Sequence, residues 1–226
     1  MLKGNMLIAH GGGPTPVINS SLLGAVREAK THPEIETIYG ARFGAEGILA
    51  GDLMDLGAFD DEQLDLLSRT PASALGSCRR KLTDADYPAV LECFKKFNIR
   101  YFFYNGGNDS MDTCHKVYQL ACQSGYELRV IGIPKTIDND LAVTDHCPGF
   151  GSAAKYAAVS ALELAFDASA LPIHVVVMEL MGRNAGWITA ASALFADQMP
   201  CEHLVYLPET NFDKEQFLSA VKEKWA

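Results

Sequence analysis

Two strand-like apolar runs in this chain each end in a Gly-Gly loop and pass directly into a helix-period segment. Met6–His10 leads into Gly11-Gly12-Gly13-Pro14, and Tyr101–Tyr104 leads into Asn105-Gly106-Gly107-Asn108-Asp109-Ser110. Strand-to-helix alternation is the pattern of a parallel sheet, because parallel strands need a long crossover that is usually a helix. The alternation continues along the chain. Helical spacing marks 15–31, 60–69, 83–97, 109–123, 151–167, 185–196 and the segment after Asn211, whose apolar residues are Phe217, Leu218 and Val221. Strand-like runs mark 35–41, 128–133, 173–179 and 203–207. Thr83 with Asp86 has the spacing of a capping box. The expected fold is therefore α/β, a largely parallel sheet with helices on both faces. The Pro148-Gly149-Phe150-Gly151 turn is the best place for the chain to cross from one domain, 1–149, to a second, 150–226.

Composition removes several classes of function. The chain has 226 residues and a net charge of −9, with no basic stripe, which argues against nucleic acid as a partner. No apolar run approaches the ~20 residues that span a bilayer, and the N-terminus lacks a secretory pattern, so the expectation is a cytoplasmic protein without a membrane partner. The six cysteines are scattered, with no C-x-x-C pair and no zinc spacing, and read as reduced thiols. The histidines form no H-E-x-x-H, and no G-x-S-x-G elbow is present. The last helix stops at Trp225-Ala226 without a Gly or Pro signal, as in a chain cut inside or just after a helix; natural termini also end this way.

What remains points to phosphate. Glycine loops at strand-to-helix junctions let backbone N–H groups and a helix N-terminus approach an anion. Asp109 is a like charge at such a loop, which makes sense only if a longer phosphate chain is being excluded; as a plain alternative, Asp109 and Ser110 cap the helix. The richest segment is Pro134-Lys135-Thr136-Ile137-Asp138-Asn139-Asp140. It follows the strand 128–133 and delivers a cation, a hydroxyl and carboxylates to the carboxyl edge of the sheet, where α/β proteins bind ligands. Such a carboxylate can take a proton and such a lysine can neutralise a phosphoryl group; the alternative is a polar turn. Glu179-Leu180-Met181-Gly182-Arg183-Asn184 offers an arginine fork to a phosphate or a surface arginine to water. Leu75–Lys81 is a short basic run in an acidic chain, for which a solvated basic patch is the plain reading.

Taken in order, the glycine loop, Gly106–Ser110, Pro134–Asp140 and Met181–Arg183 resemble the phosphofructokinase family, and its pyrophosphate-dependent branch more than the ATP-dependent one. The resemblance runs from Gly11 to about Glu209. It implies two Rossmann-like three-layer α/β/α domains, the second incomplete in this chain, and an enzyme that moves a phosphoryl group reversibly from pyrophosphate to the 1-hydroxyl of fructose 6-phosphate in glycolysis or gluconeogenesis. The alternatives are an ATP-dependent 6-phosphofructokinase and a non-catalytic regulatory paralogue. Residue by residue, the resemblance makes Asp138 the catalytic base and Lys135 the stabiliser of the transferring group. Gly12, Gly13, Arg79, Gly107, Asp109 and Ser110 become phosphoryl-donor contacts. Thr136, Asp138, Asp140, Met181, Gly182 and Arg183 become fructose 6-phosphate contacts. Mg2+ is the implied cofactor, with Asn108 and Asp109 at the metal. A homo-oligomer, dimer or tetramer, is implied for the full-length subunit.

Four positions depart from the ATP-dependent pattern or from the wider family. Lys135 and Asp109 stand where ATP-dependent members carry glycine, and the resemblance assigns both to donor choice. Asn108 stands where many members have a magnesium-ligating Asp, and a neutral amide oxygen holds Mg2+ more weakly. His174 stands where many members lend an arginine to the neighbouring subunit; a satisfied core histidine is the other reading. Family subunits are also longer, so the resemblance puts further sugar-phosphate contacts beyond residue 226.

Overall fold

The structure, a computed structural model, describes residues 2–172 and 175–225. The chain divides into two compact units, Met1–Lys135 and Thr136–Ala226. The expected crossing at 149/150 falls inside the second of these.

The first unit contains β1 (Gly4–His10), α1 (Pro16–Ala29), β2 (Ile35–Ala41), α2 (Ala45–Ala50), β3 (Leu53–Asp55), α3 (Asp61–Leu67), α4 (Tyr87–Lys96), β4 (Ile99–Gly106), α5 (Asn108–Gln123) and β5 (Arg129–Pro134). The sheet order is β3-β2-β1-β4-β5. All neighbours are parallel except β3, which returns antiparallel along β2. This is the α/β sheet expected from the alternation. β1 lies at its centre and is apolar on both sides. Met6 and Ile8 face one core with Leu22, Val26 and Leu64; Leu7 and Ala9 face the other with Phe94, Phe102 and Val117. The period-two alternation within β1 thus splits its side chains between two helix layers.

Helix boundaries follow local chemistry. Pro16 stands at the first turn of α1, where its missing N–H costs nothing. Asp60 and Gln63 form a reciprocal capping box on α3. The capping box expected at Thr83 is displaced. Asp86 is the N-cap of α4, and its Oδ2 instead accepts from the backbone N–H and hydroxyl of Thr83, both at 2.8 Å, closing a turn ahead of the helix.

The second unit contains α6 (Phe150–Ala170), α7 (Trp187–Ala191), a 3-10 turn over Ser192–Gln198, and α8 (Lys214–Trp225). α6 buries Ala154, Ala157, Ala158, Ala161 and Ala165, a small-residue stripe that brings α7 and the 3-10 turn close. The single helix expected over 185–196 is broken, with Phe195 outside helical geometry. The strands expected over 173–179 and 203–207 are not formed among the described residues: 175–179 and 203–207 lie outside any helix or strand. Residues 173 and 174, including His174, lie outside the described residues. A strand exists only where a neighbour pairs with its backbone, and no strand flanks these segments among the described residues. Their apolar side chains, Val175, Val177, Leu204 and Tyr206 among them, instead line a cavity of about 550 Å3 together with α6 and α8. No helix among the described residues is long and apolar enough to cross a membrane.

Candidate functional site

Sheet topology places the two glycine loops. The chain moves from β1 to β2 on one side and later returns to β4 on the other, so β1 and β4 flank the switch point of the sheet. Ligands of open α/β sheets bind outside the carboxyl ends of the strands at that point. Both glycine loops are there. His10 of β1 pairs with Asn105 of β4, and the Gly11 N–H continues the ladder to the Asn105 carbonyl at 2.9 Å.

The loop after β1 is held by the segment that carries the basic run. The Gly12 N–H donates to Cys78 O at 3.0 Å, and the Ser77 hydroxyl donates to Gly12 O at 2.6 Å. Upstream, Asn19 of α1 binds the same segment through Thr70 O, Ala72 O and the Ala74 N–H. Gly12 adopts φ +76, and a Cβ there would lie 3.6 Å from Lys135 Nζ; one on Gly13 would lie 3.3 Å from Arg79 Nη2. Both cations therefore stand over the first glycine loop. Lys135 is only 6% exposed, and its backbone N–H is fixed to Gly106 O at 2.9 Å.

The second loop opens α5. Asn108 and Asp109 are exposed, whereas Ser110 is buried. A Cβ on Gly106 would lie 2.0 Å from Ser110 Oγ, so the glycine exists to let this hydroxyl tuck beneath the loops. Ser110 therefore supports the two loops from below, while Asp109 stands at their rim. The Asp109 carboxylate faces Lys81, whose Nζ is 3.1 Å from each of the two oxygens. Lys81 carried no role in the sequence reading. The signal was available: Arg79-Arg80-Lys81 is a run outside helix and strand, and its members separate in alternation. Arg80 is held by Glu46 and Asp86 at 3.0 and 2.7 Å, while Arg79 and Lys81 reach the two glycine loops.

The second unit begins with the remainder of the Lys135–Asp140 segment. Thr136 bridges to Gly149, and its N–H donates to Pro148 O at 3.0 Å. The Asp138 N–H donates to the Thr136 hydroxyl at 3.1 Å, a small turn that sets the carboxylate's backbone. Asn139 is buried in the left-handed region at φ 55. Its Oδ1 accepts from the Cys147 N–H at 2.7 Å and its Nδ2 donates to Asp145 O at 3.3 Å. Asn139, which sequence reasoning passed over, ties the loop 139–147 shut between Asp138 and Asp140.

Met181, Gly182 and Arg183 form a separate exposed turn of this unit. Gly182 has φ +131, and a Cβ would lie 2.1 Å from Ala185 O, so no other residue fits. Beyond it, Glu209 Oε1 accepts from the Gly186 N–H at 2.7 Å and anchors the start of α7.

The oxygen-rich side chains suit a hard cation. Asn108 offers an amide oxygen, and Asp138 and Asp140 offer carboxylates. Mg2+ takes only one or two protein oxygens and completes its shell from phosphate and water, so oxygens of either unit, each taken by itself, suit it by their chemistry.

A sheet switch point lined by glycine loops, a lysine and an arginine belongs to an α/β fold with a local environment suited to an anion. The particular family follows from comparison. The phosphofructokinase profile matches residues 5–226, and the chain belongs to the phosphofructokinase family. It is 48% identical over 234 residues to a pyrophosphate–fructose 6-phosphate 1-phosphotransferase of Methylococcus capsulatus, covering 99% of this chain and 56% of that protein. It is likewise 48% identical to the protein of the same name from Rhodospirillum rubrum, covering 99% and 55%. A crystal structure of pyrophosphate-dependent phosphofructokinase from Marinobacter aquaeolei superposes with a TM-score of 0.84 at 42% identity, covering 97% of this chain and 57% of that one. The chain thus spans just over half the length of these relatives.

Proposed function

We propose that this chain is the donor-binding and catalytic-loop part of a pyrophosphate-dependent phosphofructokinase. The observation that carries the reading is the buried Lys135 ammonium over the Gly12 loop at the switch point of the sheet. A lysine there supplies a fixed positive charge to a short phosphate chain, and a buried position makes it stronger than in water.

Gly12, Gly13 and Gly107 present backbone to pyrophosphate, and Arg79 grips it by its fork. Lys135 neutralises the phosphoryl group in transit. Asp138 accepts the proton of the 1-hydroxyl of fructose 6-phosphate as that oxygen forms its bond to phosphorus; the bridging P–O bond breaks and inorganic phosphate leaves. Thr136 and Asp140 orient the sugar, and Arg183, on the Met181–Arg183 turn, takes its 6-phosphate. Mg2+, held through Asn108, Asp109 and the phosphate oxygens, would disperse charge on the donor. Self-association of the full-length subunit belongs to the same reading.

The test is a donor comparison on the full-length protein with fructose 6-phosphate and Mg2+. Formation of fructose 1,6-bisphosphate with pyrophosphate and not with ATP is the expected result. Turnover with ATP alone would overturn the donor assignment, and turnover with neither would overturn the enzymatic reading.

A further inference from the structure

We infer that Lys81 is a positioning residue for donor choice, acting through Asp109; this rests on the pyrophosphate reading above. Three observations carry it. Lys81 Nζ is 3.1 Å from both Asp109 oxygens, so the ammonium sits squarely across the carboxylate. The two residues are 28 apart in sequence and come from the loop that stitches to Gly12 and from the first turn of α5, so the pair bridges the two glycine loops. Finally, both side chains are 76% exposed, which makes the pair a poor source of stability. A cross-loop ion pair at the rim of a phosphate site has its effect on what enters.

A bare carboxylate at the rim would repel every polyphosphate, the short one included. Paired with Lys81, it presents little net charge to a diphosphate that ends before the rim. A longer chain that runs past the rim must displace the ammonium and then face the carboxylate. Lys81 therefore does two things at once: it masks Asp109 from pyrophosphate and pins it in the path of a third phosphate. Arg80, between Arg79 and Lys81, cannot substitute, because Glu46 and Asp86 hold it elsewhere.

The experiment is a double-mutant cycle on the full-length protein, reading calorimetric affinity for inorganic pyrophosphate, inorganic tripolyphosphate and ATP. Lys81→Met alone should weaken pyrophosphate about tenfold by unmasking one charge at the rim, with ATP still rejected and the melting temperature unchanged. Asp109→Gly alone should admit tripolyphosphate and ATP. In the Asp109→Gly background, Lys81→Met should change pyrophosphate affinity less than about twofold while removing most of the new tripolyphosphate binding. Lys81→Arg should restore pyrophosphate affinity. A Lys81→Met effect on pyrophosphate that is equal in both backgrounds, or absent from both, overturns the pairing while leaving the donor reading intact. A wild-type protein that prefers ATP to pyrophosphate overturns the donor reading, and the pairing with it.

Discussion

His10 Nδ1 lies 2.6 Å from Ser73 Oγ, and the Ser73 hydroxyl already donates its proton to Gly76 O at 2.7 Å. Ser73 can therefore only accept from His10, so Nδ1 carries a ring proton. The contact ties the end of β1 to the segment that leads to Arg79 and Lys81. Burial, and secondarily the positive charge of Lys135, lowers the pKa of His10 from 6.5 to about 4.

A stability–pH dependence follows. The unfolded chain takes up a proton on His10 before the folded protein does. Stability is then full above about pH 6.5 and is lost progressively as pH falls toward about 4. Between pH 7 and pH 5 this one group should cost about 2 kcal/mol. Urea unfolding at the two pH values should show that loss in the wild type and a loss smaller by about that amount in His10→Asn, which keeps a donor toward Ser73. An equal drop in both proteins would rule His10 out as its source.

Asn139 supplies a second prediction, about the loop rather than the sheet. It combines a left-handed backbone with two side-chain bonds, one of them to the buried N–H of Cys147. Asn139→Ala strands that N–H and adds backbone strain, which together should cost about 2 kcal/mol. Amide exchange at Cys147 should speed up by more than tenfold, and turnover should fall because Asp138 and Asp140 flank the lost anchor. Unchanged exchange at Cys147 would show that the loop is held by other means.

The difference between Lys135 and Asn139 marks how much of the site the sequence disclosed. Strands β1, β4 and β5 were legible because each is an apolar run followed by Gly or Pro, and those runs also placed the Gly11–Gly13, Gly106–Asp109 and Lys135–Asp140 segments. Asn139 was not legible, since its role is a tertiary closure onto Cys147 that no local pattern encodes. α2 and β3 escaped because six and three residues are too few to show a period. The segments 175–179 and 203–207 have strand composition but no strand beside them among the described residues, and composition alone cannot supply a pairing partner. Lys81 was visible as charge; only its alternation with Arg80 separates a rim cation from a solvated one.

If Asp138 accepts the sugar proton, Asp138→Asn keeps the shape and removes the base. In the full-length protein kcat should fall by roughly 10^2–10^4, with KM for fructose 6-phosphate changed less than about threefold. The Thr136 hydroxyl contact to the residue-138 N–H at 3.1 Å is a backbone interaction and survives the substitution, so the loop should stay in place. Steady-state kinetics checks this; a variant retaining more than a tenth of wild-type kcat would remove Asp138 from the chemistry.

Donor choice gives the sharpest outcome, because two residues should control it from opposite ends of the phosphate chain. Lys135 stands buried over the first glycine loop, and Asp109 stands exposed at the rim of the second. At about 4 Å and an effective dielectric near 20, an exposed carboxylate and a phosphate repel by ~4 kcal/mol, roughly a thousandfold in affinity; pairing with Lys81 lowers that figure without removing the obstruction. Asp109→Gly should therefore admit ATP, and adding Lys135→Gly should shift turnover toward it, since the pyrophosphate-dependent reaction then loses its buried cation while ATP gains room for its third phosphate. The measurement is kcat/KM for both donors in the wild type, the two single variants and the double variant. ATP-dependent turnover should rise by at least about a hundredfold in the double variant, and its absence would mean that Asp109 and Lys135 do not set the donor.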